Sequence, residues 1–303
     1  MLAPPSMMIL PERHRGVPLM VLSCVLFAAM ALFARMLSAE LPSHEVVLLR
    51  FLIGLACMGA YYGARRTLPD VPRPRLWVLR GLLGGGAVFF YFLAIQKLEV
   101  GPATVLNYSS PLYAAVFAAF FLGERLTRSV VFGILIASFG SALVAMSASG
   151  GHLVLGTGAM CGLLSAFLGG AAMTTVRSLR SDTSSGSIYV SFCAFGSLWA
   201  LPFCLHHWVA LNPRALLLAL GVGAFSIAAQ LVFTYAFRYV TAARGSATTQ
   251  LTAAFTWALG VFVLGESLLP LAVFGAAICV GGVLLSTGAL RRRRPEPKPD
   301  LAS

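Results

Sequence analysis

The chain is poor in charge: Asp, Glu, Lys and Arg make up 11% of its 303 residues. A water-soluble domain needs about a quarter of its residues charged to wet its surface. With 58% hydrophobic residues, most of the exterior must instead face lipid. Acid is scarcer still, ten residues against 22 Lys and Arg. None of Glu12, Glu40, Glu45, Asp70, Glu99, Glu124, Asp182, Glu266, Glu296 or Asp300 falls in the middle of an apolar run. The histidines (His14, His44, His152, His206, His207) also lie at run ends or in loops. Proton relays in membranes need such groups buried at depth, so coupling through a midplane carboxylate is not expected. The six cysteines are scattered through apolar runs with no C-x-x-C pair, which reads as small apolar packing residues and not as disulfides or a metal site. No G-x-x-x-x-G-K-[ST] loop occurs, arguing against ATP-driven work by this chain alone. Alternation of polar and apolar residues over strand lengths is missing too, so a β-barrel is excluded.

Ten apolar stretches are long enough to cross a bilayer, which takes about 20 residues. They run roughly over 17–38, 45–64, 76–97, 102–123, 127–147, 155–178, 187–208, 214–238, 241–264 and 268–288. Breakers separate them: Leu41-Pro42, the Pro-rich 65–75 segment, Gly101-Pro102, Gly150-Gly151, Asn212-Pro213 and Pro270. Arg13 and Arg15 ahead of Val17 imitate a signal peptide, but no small-residue cleavage site follows. That stretch therefore reads as the first span.

The net charge of +12 is distributed for topology, not for nucleic acid. With the N-terminus in the cytoplasm, 18 of the 22 basic residues fall on the inner side. Arg35, Arg50, Lys97 and Arg214 remain outside. This positive-inside bias fixes the orientation and checks the span count, since one missed helix would scramble it.

The chain also matches itself at an offset of 142 residues. Phe120-Phe-Leu-Gly-Glu-Arg-Leu126 lies over Phe262-Val-Leu-Gly-Glu-Ser-Leu268, and 11 of 24 positions agree between 120–143 and 262–285. Five spans per repeat is an odd number, so the second repeat enters the membrane from the opposite face. The predicted fold is an all-α polytopic membrane protein, ten transmembrane helices as two inverted five-helix repeats with both termini cytoplasmic. Its parts are a cytoplasmic N-terminus (1–16), the two repeats (17–147 and 155–288) and a basic cytoplasmic tail (291–303). Inverted repeats of this kind bind substrate near the midplane, where the halves meet.

Ten spans in two halves, Leu-Gly-Glu closing the fourth and ninth, and Leu49-Arg50-Phe51 in the second together resemble the EamA branch of the drug/metabolite transporter superfamily. The resemblance spans essentially the whole chain and implies a carrier of small metabolites, with exporters of amino acids, aromatic ones included, among its members. Small multidrug relatives in that superfamily rely on a glutamate in the first helix. Here 17–38 and its mate 155–178 contain no acid, leaving facilitated transport or exchange.

Polar residues that reach mid-span are the candidate substrate contacts. The fourth span carries Asn107, Tyr108 and Ser110, followed by Pro111 as a helix kink that frees carbonyls. The ninth carries Thr249 and Gln250. Tyr91 on the third and Gln230, Thr234 and Tyr235 on the eighth complete an expected uncharged cavity of aromatic and amide groups. The competing role for each is ordinary hydrogen bonding between helices. Glu124 and Glu266 are expected to be structural caps, each set before the next helix at the interface. Arg50 either holds an anionic group, snorkels to the interface or pairs with Glu45. The expected activity is outward secondary transport of small organic metabolites, amino acids first, by alternating access across the inner (plasma) membrane. Nucleosides, S-adenosylmethionine-like or sugar-derived compounds are the alternative cargo. A membrane-embedded transferase is disfavoured because His206-His207 has no acidic partner nearby. Neither cofactor nor metal is expected. The partners are a small-molecule substrate and the bilayer, without nucleic acid, for a monomer or weak dimer.

Overall fold

The computed structural model describes residues 15–97, 106–147, 156–205, 208–265 and 269–288. Among them every regular element is a helix: α1 (Gly16–Leu37), α2 (Ser43–Ala64), α3 (Pro74–Lys97), α4 (Ser110–Leu122), α5 (Arg128–Ser147), α6 (Thr157–Leu179), α7 (Ser185–Cys204), α8 (Pro213–Ala236), α9 (Ala242–Thr249), α10 (Leu251–Leu264) and α11 (Pro270–Thr287). Among the described residues nine spans are long and apolar enough to cross a membrane, α9 and α10 together making one over Ala242–Leu264. Of the fourth expected stretch, 102–123, residues 102–105 lie outside the described residues; Leu106 and Asn107 are helical, a turn follows at Tyr108 and Ser109, and α4 is a 13-residue helix.

The Leu-Gly-Glu motif now has a local cause. Gly123 ends α4 and Gly265 ends α10, both left-handed at φ 64° and 68°. A glycine adopts that conformation without the Cβ clash other residues meet. The two positions are equivalent in the repeat.

Helix contacts obey a two-fold exchange of the halves. α3 packs on α6 as α1 packs on α8, α3 on α7 as α8 on α2, and α4 on α6 as α10 on α1. On the pseudo-axis lie α2 against α7 and α5 against α11. The last pair touches backbone to backbone. A Cβ at Gly133 would come within 2.5 Å of Ser286 N, one at Gly140 within 2.3 Å of Cys279 N, and one at Gly282 within 2.3 Å of Ala137 N. Position rises along α5 as it falls along α11, so these equivalent helices are antiparallel and the repeats are inverted. Small residues allow this approach in lipid, where dispersion and not hydrophobicity holds helices together.

The core fills the seams. Val47, Leu48, Phe51, Met58, Tyr189 and Phe192 are buried between α2 and α7. The outside stays apolar: Phe120 is 82% and its repeat mate Phe262 86% exposed, a surface that suits lipid and not water.

Candidate functional site

Two helix breaks occupy equivalent places in the repeats. In the first, Tyr108 and Ser109 form a turn and α4 begins at Ser110. Pro111 sits in the first turn of α4 and not inside a continuous helix, where its missing N–H is one that a helix start leaves without an intrahelical partner anyway. In the second, Gln250 separates α9 from α10. Tighter bonds replace the regular ladder there, Gln250 N donating to Ala247 O at 3.2 Å and Ala253 N to Gln250 O at 3.1 Å. Tyr108 and Gln250 are 142 residues apart, the offset of the repeat. Gln250 Nε2 donates to the Tyr108 carbonyl at 2.9 Å and to Ser138 Oγ at 2.8 Å. The two breaks therefore touch. Gln250 is 1% exposed, and its Oε1 is buried without a hydrogen-bond partner.

Around this joint the other expected residues divide. Asn107 Nδ2 donates to Ser165 Oγ at 2.7 Å, and Ser165 Oγ donates to the Ala87 carbonyl at 2.7 Å. Asn107 thus ties the first break to α6 and, through it, to α3. Tyr91 on α3 lies close enough to Tyr108 for the two phenols to interact electrostatically. Ser110 is buried against α6, its carbonyl 2.8 Å from where a Cβ on Gly170 would stand. The Thr249 hydroxyl bonds back to Ser246 O at 2.6 Å.

The α8 residues lie elsewhere. Gln230 and Thr234, one turn apart, are buried on a helix that packs chiefly on α1 and α2. Thr234 Oγ1 has no hydrogen-bond partner. Tyr235 points away from both: it is 40% exposed, its hydroxyl 2.8 Å from that of Tyr239 and its ring 5.8 Å from Arg180 Cζ. One residue along a helix is about 100° around it, so Tyr235 cannot share the face of Thr234. It belongs to the bundle end.

Glu124 is a cap, but of a different helix than expected. Its carboxylate accepts from Ala242 N at 2.9 Å and Ala243 N at 3.4 Å, the first turn of α9 in the other repeat, and not from α5. An anion is favoured there by the unpaired N–H groups and the helix dipole. Arg177 completes the link, 3.6 Å from Glu124 and donating to Phe237 O at 2.7 Å. Glu266 lies outside the described residues.

This end of the bundle opens into a cavity of about 420 Å³ lined by Arg73, Arg177, Arg180, Arg238, Glu124 and Leu122 among others. Four arginines face one carboxylate of that lining. Asp182 at its edge takes a 2.8 Å bond from Arg73, which holds its carboxyl below the ordinary carboxylate range. Burial and the neighbouring Arg238 lower the Arg180 guanidinium from its usual value. Among the described residues no three of His, Cys, Asp and Glu lie close enough to hold a metal.

Two further arginines face the seam between α2, α3 and α7, Arg50 half-buried and Arg80 buried. Arg50 does not pair with Glu45, whose buried carboxylate accepts from Val209 N at 3.1 Å. Its guanidinium lies over Phe51 and Phe192, 5.2 and 5.6 Å from the ring centres. Arg80, read from sequence only as an inner-side charge, is 3% exposed and 4.7 Å from the same Phe192 ring. The available signal for Arg80 was its place seven residues into an apolar helix, four before the Gly84-Gly85-Gly86 run.

The EamA-like transporter family model matches this chain twice, over residues 14–146 and 156–288. A pseudopaline exporter from Pseudomonas aeruginosa is 29% identical over 293 residues, covering 95% of this chain and 99% of its own. A protein named "Probable terminal-alkyne amino-acid exporter" from Streptantibioticus cattleyicolor is 27% identical over 82% of this chain and 84% of its own. One solved crystal structure superposes with a TM-score of 0.79 at 20% identity, over 92% of this chain and all of the other, and at that identity the likeness speaks to fold. With a family match to each inverted half, and the halves joined at their helix breaks, this membrane protein belongs to the EamA-like transporter family.

Proposed function

We propose that the chain carries small organic metabolites outward across the cell's inner (plasma) membrane by alternating access, with amino acids, aromatic ones included, as the first cargo class. The observation that carries this reading is the contact between the two helix breaks, Gln250 reaching the Tyr108 carbonyl across the repeat interface. Broken helices meeting there expose backbone polar groups that a ligand can use, and rocking one repeat against the other changes which side they face. Asn107, Tyr108, Gln250 and Tyr91 form the uncharged part of the proposed pathway, with Ser110 and Thr249 beside them and Gln230 and Thr234 on α8. The exporters named among the relatives support the outward direction. The complete topology is ten spans with both termini cytoplasmic, the arginine-lined cavity opening inward.

Coupling does not run through a midplane carboxylate. Among the described residues Glu40, Asp70, Glu124 and Asp182 lie between helices, and Glu45 in the first turn of α2. Uptake of labelled amino acids and nucleosides into liposomes holding the purified protein tests the proposal. Saturable uptake of one class, unchanged when the proton gradient collapses, is the expected result. Uptake that requires the gradient overturns the coupling mechanism, and no uptake by any compound overturns the carrier reading.

A further inference from the structure

A lone arginine near the start of a membrane helix ordinarily escapes toward its own interface. Side chains already lean toward the helix N-terminus, so for Arg80 the short way to water is back along α3. The structure shows the opposite. A Cβ built on Gly84 would come within 1.8 Å of Arg80 Nη1, so the guanidinium runs forward, into the space that Gly84 leaves. Gly84 is ten residues into α3, about 15 Å along it at 1.5 Å per residue. The glycine run therefore does more than pack helices: Gly85 meets the backbone of Gly196, with 2.8 Å left for a Cβ, while Gly84 makes room for a cation.

Arg50 reaches the same place from α2. Both guanidiniums lie on the Phe192 ring, at 5.6 and 4.7 Å, so they are no farther apart than those two distances combined. Neither has an ion-pair partner among the described residues, and the Nε of each is buried without a hydrogen bond. Two cations with only an aromatic face between them repel one another. A ring quadrupole offsets little of the desolvation of a guanidinium. An anion bound between them would reverse the balance, and a planar carboxylate matches the guanidinium fork in two parallel hydrogen bonds.

We propose that Arg80 and Arg50 form an intramembrane site for the carboxylate of the transported compound, beside Phe192 and bounded by α2, α3 and α7. This rests on the carrier reading above and deepens it: the cargo is an organic acid or amino acid, with its anionic end at the arginines. The route in is consistent with that chemistry. Arg73, at the basic cavity, immediately precedes α3, and Arg80 lies seven residues further on, about two turns along the helix. A mouth lined by arginines concentrates anions ahead of such a site.

The test uses the full-length protein in nanodiscs, with intrinsic tryptophan fluorescence reading both ligand binding and thermal unfolding. The probes are benzoate against benzamide and phenylalanine against phenylalaninamide, with chloride as competitor. Carboxylates are expected to bind about tenfold or more tighter than their amides, the value of one charge-assisted contact. Arg80→Gln and Arg50→Gln should each erase that preference, while Arg80→Lys retains part of it. Size-exclusion profiles matching wild type guard against misfolding as the cause. Equal binding of acid and amide, an unchanged preference in Arg80→Gln, or displacement of benzoate by equimolar chloride each overturn the site. The same pairs in liposome uptake separate the two readings. Equal transport of acid and amide sinks the carboxylate site and leaves the carrier standing. Carboxylate binding without uptake leaves the site standing and removes the carrier.

Discussion

Two polar regions inside this bundle differ in how the chain satisfies them. At the helix breaks, Gln250, Asn107 and Ser165 are neutral and hydrogen-bonded to named acceptors across repeats or helices. Beside Phe192, Arg50 and Arg80 are charged and have no counter-ion among the described residues. The first region stabilises the fold that it belongs to. The second costs stability, and a protein keeps such a cost where something from outside is to meet it.

The comparison breaks most visibly at the glycines. Replacing Gly85 by Leu drives a side chain into the Gly196 backbone and should cost about 3 kcal/mol or more by overpacking, seen as loss of monodisperse protein. Gly84→Ala meets the movable end of Arg80 and, at 2.9 Å, the edge of the Phe192 ring. It should lower the unfolding temperature less than Gly85→Leu does while weakening carboxylate binding. Equal destabilisation by both would show that Gly84 is packing alone.

Next come two substitutions with opposite signs. Arg80→Met removes an unpaired buried charge and should raise stability without ligand by about 1–4 kcal/mol, the range seen when apolar residues replace buried charges. Gln250→Ala strips the Tyr108 carbonyl and Ser138 of their donor, costing about 0.6–1.7 kcal/mol on the scale of hydrogen bonds between membrane helices. Thermal unfolding of the two variants side by side reads the signs directly; a destabilised Arg80→Met would mean the arginine is structural.

A smaller effect is expected at the cavity mouth. Glu124→Ala uncaps α9 at about 1 kcal/mol, because the cap joins the two repeats and not neighbours in one. The smallest concerns Asp182. Its carboxyl is held below the ordinary range by Arg73, so its tie is complete above the ordinary carboxylate pKa and is lost as pH falls through the lowered one. Acid titration of Asp182→Asn against wild type should differ only in that acidic window.

Much of the architecture is legible without coordinates. A lipid-facing surface follows from composition, and the span ends from Pro and Gly breakers. The repeat follows from the Leu-Gly-Glu blocks, whose glycines the structure places in the left-handed conformation that ends a helix. These are local or periodic properties, written in the order of the chain. The meeting of Tyr108 with Gln250 was half visible, since both were singled out and stand one repeat apart, but their contact needs the fold. Three things were decided only in three dimensions. Glu124 serves a helix 118 residues away, Tyr235 turns out of the face that holds Thr234, and Arg80 runs forward against Gly84 instead of back to its interface. In each case the sequence determined which group was present, while the packing of distant helices determined which neighbour it met. The reason is physical: charge and hydrogen-bonding capacity belong to residues, whereas desolvation and pairing belong to the space between helices.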